Sequence, residues 1–223
     1  MRIVSFRTGR ARNRAQAAPC VSLCSAGALS ILAVLFFVAG CGSARPIKYY
    51  QLSYPSTAPP PSPDAINTTI MVRSFEASHL YLSDQIVYGF DSPELGVYQT
   101  QRWAEPPVEM LQEALVRGLR STGRFRAVYT IRADAGGQYI LAGQLYDFKE
   151  VDGSAIVARL TYSVRLRDRK AGTTVWTHMY NHDEPASEKS VVAVATAMDK
   201  NVQRSVQEVQ SGLEEYFRAN PPK

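Results

Sequence analysis

Downstream of Gly153 the chain alternates. Ala155, Val157, Arg159, Thr161, Ser163 and Arg165 form one face of a strand, and Ile156, Ala158, Leu160, Tyr162, Val164 and Leu166 form the other. The second set is almost wholly apolar, so that face packs on a core. The neighbouring segments "QYILAGQLYDFKEV" and "TTVWTHMYNHDE" also read as strands, joined to it by turns at Asp152-Gly153 and Arg169 to Gly172. Loops this short connect antiparallel neighbours, so the three segments form a meander. "FRAVYTI" is a further strand, separated from the meander by the turn Asp134 to Gly137.

Two segments carry the helical period instead. Val108, Leu111, Leu115 and Leu119 recur at three and four residues, giving an amphipathic helix from near Pro106 to about Ser121, with Gly123 ending it. Glu105 and Glu109 suit its positive N-terminal end. Val191, Ala195, Met198, Val202, Val206, Val209, Leu213 and Phe217 mark a second helix from about Ser190 to Arg218. At 1.5 Å per residue it is about 42 Å long, enough to cross a domain. Both stripes are expected to cover one face of the sheet.

The N-terminal half is more broken. "YYQLSY", Tyr49 to Tyr54, alternates as a first strand, and "TTIMVRSF", ending at Phe75, is a β-branched second. Between them Pro55 to Asp64 carries five prolines and reads as a semi-rigid surface loop. Ser78 to Arg102 holds three short apolar segments separated by Ser-Asp and Asp-Ser-Pro-Glu, which read as short strands and turns.

The first 40 residues stand apart. They contain Arg2, Arg7, Arg10, Arg12 and Arg14 and no acidic residue, and an apolar stretch follows from about Ala26 to Ala39. A charged start, a short apolar middle and small residues before a cut make a secretory signal. Ser22, Cys24, Ser25, Gly27 and Ser30 interrupt the stretch, so it falls short of the roughly 20 apolar residues of a membrane span. Val38-Ala39-Gly40-Cys41 resembles the bacterial lipobox. That resemblance implies cleavage after Gly40, a diacylglycerol on the Cys41 thiol and an acyl chain on the new amino group. Two or more acyl chains hold a protein stably at a membrane, at about 0.8 kcal/mol per buried methylene.

Removing the signal changes both charge and redox chemistry. Twenty-five basic residues face 20 acidic ones in the whole chain, and the five excess are the signal's arginines. The pI of about 9.1 therefore belongs to the targeting peptide, and nucleic-acid binding loses its compositional support. Cys20 and Cys24 leave with the signal, so the mature chain can form neither an internal disulfide nor a thiolate metal site.

No catalytic constellation is visible, and no enzymatic activity is expected. His178 and His182 have a spacing that would suit a metal on a helix, but on a strand they stand about 13 Å apart. They and His79 read as ordinary exposed histidines. Gly136-Gly137 form a turn and not a phosphate loop, no Gly-x-Ser-x-Gly elbow occurs, and Asp183-Glu184 read as a solvated strand end. No metal and no cofactor beyond the lipid on Cys41 is expected. The aromatics Tyr81, Tyr88, Tyr98 and Trp103 gather before the first helix. Such rings either dock a partner or cap the end of the core.

"YYQLSY" behind the lipobox, "YLSDQIVYGF", "RWAEPP" opening a helix, "YILAGQLYDF" and the long terminal helix occur in that order. Together, over roughly Tyr49 to Phe217, they resemble the PqiC-like auxiliary lipoproteins of ABC-type transport systems. Those act with MCE-domain proteins in lipid traffic between the two membranes of Gram-negative bacteria. Many members are expected to carry an Asp-Arg-Pro-like stretch where this chain has Ser83-Asp84. The resemblance implies a non-enzymatic periplasmic accessory subunit on the outer membrane, since Gly42 is not the aspartate that retains lipoproteins in the inner membrane of enteric bacteria. Its implied partners are an MCE-domain protein with its ABC permease and ATPase, and homo-oligomeric assembly is in keeping with them.

The expected organisation is a cleaved signal at 1–40, a lipidated tether at 41–48, one periplasmic domain at 49–218 and a tail at 219–223. The expected fold is α+β, a largely antiparallel sheet with two helices packed on one face. Tyr81, Tyr88, Tyr98, Arg102 and Trp103 are the candidate docking residues, and Trp103→Ala should weaken partner capture more than folding. The rival roles are a lipoprotein that carries lipid between sheet and helices, and an outer-membrane assembly factor.

Overall fold

The alternation after Gly153 builds the strand it predicts. Ala158, Leu160, Tyr162, Val164 and Leu166 are all closed to solvent, while the residues between them are half-buried or exposed. A computed structural model describes residues 45–55, 57–90, 92–131 and 136–222. The chain divides into Met1–Arg45 and Pro46–Lys223. All the strands and helices among the described residues belong to the second unit.

Nine strands and two helices follow in chain order among the described residues. They are β1 (Lys48–Tyr50), β2 (Ile66–Val72), β3 (Glu76–Ala77), β4 (Gln85–Phe90) and β5 (Leu95–Trp103), then α1 (Pro107–Ser121). After it come β6 (Phe125–Thr130), β7 (Tyr139–Asp152), β8 (Ile156–Asp168), β9 (Thr174–Pro185) and α2 (Val191–Ala219). One 3-10 turn, His79–Tyr81, precedes β4.

The meander is present: β7 pairs antiparallel with β8 and β8 with β9. The expectation of a largely antiparallel sheet does not hold. The other long edge of β7 takes three parallel partners in succession: β2 at Tyr139 to Leu141, β3 at Gln144 and Leu145, and β4 at Lys149 to Asp152. The β1–β5 and β2–β6 pairs are parallel too, and only the β4–β5 hairpin adds another antiparallel pair. The sheet is mixed because short loops dictate the direction of sequence neighbours only. Pairings across long intervals follow from the crossover that returns the chain, here the one carrying α1 between β2 and β6.

Both helices lie where their stripes require. α1 starts behind Pro106 with Pro107 in its first turn, and Thr122 and Gly123 close it. In α2 the Ser190 hydroxyl accepts from the Ala193 amide at 3.2 Å and caps the N-terminus. Leu111, Leu115, Leu119, Met198, Val209 and Leu213 are fully shielded beneath them and fill the space over the sheet. The helices touch closely at Gly118, where a methyl group would stand 2.3 Å from Val206 Cγ1. Only glycine fits that contact, which offsets its cost of about 1 kcal/mol in a helix.

Two polar residues, Asn201 and Ser205, interrupt the stripe of α2. Asn201 is completely buried, yet its amide donates to the carbonyls of Ala158 on β8 and His182 on β9, each at 2.9 Å. Its Oδ1 accepts from the Tyr180 hydroxyl at 2.5 Å. A single side chain thus fastens the helix to two adjacent strands.

Candidate interaction surface

The docking residues expected from the sequence separate into two groups. Trp103 and Tyr81 are 2% and 3% exposed and belong to the core. The Trp103 ring meets Phe148 edge-on at 5.3 Å, and its backbone amide donates to Asp84 O at 2.7 Å. Burial pushes the Tyr81 hydroxyl up to about 12, with Asp147 adding to the shift and a hydrogen bond from the backbone at Phe148 opposing it. As surface anchors these two are therefore corrected: their rings fill the interior and present nothing to a partner.

Tyr88, Tyr98 and Arg102 remain half-exposed. In β4, Ile86, Tyr88 and Phe90 share one face by alternation. Ile86 is buried, Tyr88 is half-buried and Phe90 is 52% exposed, so the row runs from the core out to the tip of the β4–β5 hairpin. The Tyr88 ring packs on that of Tyr98 at 4.9 Å and lies over Gly96, where a methyl group would come within 2.4 Å of the Tyr88 ring. Arg102 donates from Nη1 to the Tyr98 carbonyl at 3.1 Å, holding β5 where its register with β4 shifts.

Beneath these rings sits a carboxylate that the sequence did not single out. Glu150 on β7 pairs in register with Tyr88, is 6% exposed and accepts from the Tyr98 hydroxyl at 2.9 Å. Burial raises its pKa above the usual carboxylate range; the Tyr98 hydrogen bond pulls it back, Asp152 raises it further and Lys189 opposes. Burial and the same hydrogen bond push the Tyr98 hydroxyl up as well. Close by, Lys189 Nζ bonds Asp152 Oδ2 at 2.9 Å and ties the segment before α2 to the end of β7. Exposed apolar side chains complete this end of the molecule: Leu95 at 42% and Val192 at 59%.

The other candidates are structural. His178 and His182 lie on β9 against α2, with His178 Nε2 3.4 Å from Glu208 and His182 beside Arg204 and Glu184. Asp183, expected in open solvent, accepts from Nε and Nη2 of Arg159, which lowers its pKa. No group of His, Cys, Asp or Glu among the described residues is placed to hold a metal ion. A groove of about 390 Å³ runs between the helices, lined by Tyr54, Gly118, Val206 and Gln203 among others. It lies outside the sheet–helix core and carries a polar rim. Cys41 and Gly40 are outside the described residues. None of the helices among those residues is long and apolar enough to cross a membrane.

The signal for Phe90 and Leu95 was present in the sequence as two apolar residues flanking an Asp-Ser-Pro-Glu turn. Glu150 offered no such signal, because its burial follows from a parallel pairing between distant segments.

The model of the family described as ABC-type transport auxiliary lipoprotein component matches residues 50–210. No curated protein matches the chain in sequence. Among solved structures it is similar to a Xanthomonas campestris protein of the DUF330 family, with 22% identity, TM-score 0.66, and 75% of this chain and 94% of that one covered. An uncharacterized protein follows at 14% identity and TM-score 0.61, covering 76% and 99%. The PelC dodecamer of Paraburkholderia phytofirmans is similar at 15% identity over 66% and 92%, with TM-score 0.41. The first two likenesses describe the fold alone.

Proposed function

Since the chain belongs to the ABC-type transport auxiliary lipoprotein family, we propose that it is a non-enzymatic, lipid-anchored accessory subunit of an MCE-type system that moves lipid between the inner and outer membranes. The observation that carries the reading is the family match over residues 50–210. The lipobox at Val38 to Cys41 supports the anchor, and Gly42 favours the outer membrane. The domain contributes binding and bracing: its interior is occupied by its own side chains, and its irregular feature is a half-exposed aromatic end. A lipid-carrying role has less support, because Leu111, Leu115, Leu119 and Met198 fill the space between sheet and helices where a carrier would hold its cargo.

In-cell cross-linking followed by purification of the tagged mature protein tests the role. Recovery of an MCE-domain protein with its permease and ATPase is expected. Recovery of outer-membrane assembly proteins alone, or of bound lipid alone, would replace it with one of the rival roles. Cys41→Ala should leave an uncleaved precursor in the inner membrane, and mature acylated protein from that variant would end the lipobox argument.

A further inference from the structure

β1 runs parallel to β5, with Lys48 opposite Gln101, Tyr49 opposite Arg102 and Tyr50 opposite Trp103. A strand that runs parallel to its neighbour is entered from the end where the neighbour begins. The chain feeding β1 therefore arrives from the Leu95 end of β5, which is the tip of the β4–β5 hairpin. Leu95 precedes Gln101 by six residues, about 20 Å of strand. Cys41 precedes Lys48 by seven, which reach at most about 25 Å. The contour from Cys41 to Lys48 is thus comparable with the distance from β1 to the hairpin tip, and the direction in which β1 is entered points toward that tip.

The tip is also where apolar side chains stand in water. Phe90 and Leu95 flank the turn, 52% and 42% exposed. Val192 in the first turn of α2 is 59% exposed, and Lys189 holds that segment to Asp152, the register partner of Phe90. The Ala186 amide donates to Ile156 O at 2.9 Å and fixes the same connection from below. On the incoming chain Ile47 and Tyr49 are 51% and 63% exposed. These side chains come from separate stretches of sequence.

We infer that this end of the domain is a membrane-contacting face, on which Phe90, Leu95 and Val192 enter the headgroup region of the bilayer that receives the Cys41 lipid. The inference rests on the lipid-anchor reading of Cys41 and adds an orientation to it. Aromatic and aliphatic side chains beside a covalent lipid act as a second membrane signal, and binding strength scales with the apolar area they bury. The charges at this end are of both signs, Glu94 in the turn and Asp152 paired with Lys189, so the contact is apolar and changes little with salt. The face turns the opposite end of the sheet, where β8 ends and β9 begins, away from the bilayer.

The mature chain has no cysteine besides Cys41, so a single introduced thiol can carry an environment-sensitive fluorophore. Full-length Leu95→Cys and Met179→Cys are expressed with their own signal, purified as mature proteins and labelled. They are then inserted into phosphatidylethanolamine–phosphatidylglycerol vesicles containing spin-labelled lipid. Met179, mid-strand on β9 and 59% exposed, is the reference. Quenching by the spin-labelled lipid is expected to be several-fold stronger at 95 than at 179, with weaker quenching by aqueous iodide at 95. Equal lipid quenching at the two sites on protein shown by mass spectrometry to be acylated at Cys41 would overturn the membrane face and leave the anchor standing. Absence of acylation would overturn both. If 95 becomes shielded only when the transport partners are added, and from lipid and iodide alike, the face belongs to a protein and the inference is wrong.

Discussion

The interface between α2 and the β8–β9 pair and the tip of the β4–β5 hairpin follow opposite rules. At the first, apolar residues are buried and Asn201 has its donors and acceptor answered. At the second, Phe90, Leu95 and Val192 stay in solvent while a carboxylate, Glu150, is buried with one hydroxyl for company. The first region is built to hold together. The second leaves large apolar side chains in water, and that exposure is what the inferred membrane face rests on.

The contrast can be broken most forcefully at Trp103. The sequence alone places its ring at a docking surface, where truncation would weaken capture more than folding; its burial against Phe148 reverses that expectation. Trp103→Ala should cost about 3–5 kcal/mol of stability, as emptying a large aromatic site usually does. Urea unfolding measures it, and a cost below the range of core truncations would return Trp103 to the surface.

Asn201→Ala comes next. It removes the donor from two carbonyls and leaves the Tyr180 hydroxyl only its 3.2 Å bond to the backbone carbonyl of residue 201, for an expected loss of about 3 kcal/mol. Thermal melts against Asn201→Asp would sharpen this, because aspartate keeps the acceptor for Tyr180 and loses both donors.

At the hairpin end the effects are smaller and one has the other sign. The folded-state pKa of Glu150 lies above its unfolded value, chiefly through burial. The folded state is then favoured most when the carboxyl is protonated, and that increment is lost as pH rises through the ordinary carboxylate range to the folded value. Glu150→Gln keeps an acceptor for Tyr98 and removes the charge. It should raise the melting temperature near neutral pH, with the gain shrinking to nothing below the carboxylate range. A gain independent of pH would show that the charge is not its cause.

The smallest effect is expected at the exposed row. Phe90→Ser should change stability by no more than about 0.5 kcal/mol, as surface substitutions do. A larger loss in chemical denaturation would make Phe90 part of the core and erase the contrast between the two regions.

Period alone made much of the fold legible. The inner face of β8 and the stripe of α2 each repeat over several turns or residues, and nearly every position they mark is buried. The hairpin region was opaque for a specific reason. Between Val97 and Arg102 five steps of β5 answer two of β4, from Val87 to Gln85, so alternation does not carry through it. Ring chemistry could not separate Trp103 from Tyr88, since both are aromatics on short strands. The parallel pairings were equally hidden, because β2, β3 and β4 each contribute only a few residues to one edge of β7.

That three-part edge also sets an order of events. β2, β3 and β4 lie far upstream of β7, and among the described residues β3 pairs with nothing else. A chain delivered N-terminus first leaves these segments waiting until Tyr139 to Asp152 have arrived. Long-range parallel pairing is slow to nucleate, because loop closure precedes any reward from the contacts. For the exported lipoprotein proposed above, premature closure would jam an unfolded thread in transit. Here the sheet cannot be completed until its central strand has come through, so the timing of folding is written into the connectivity.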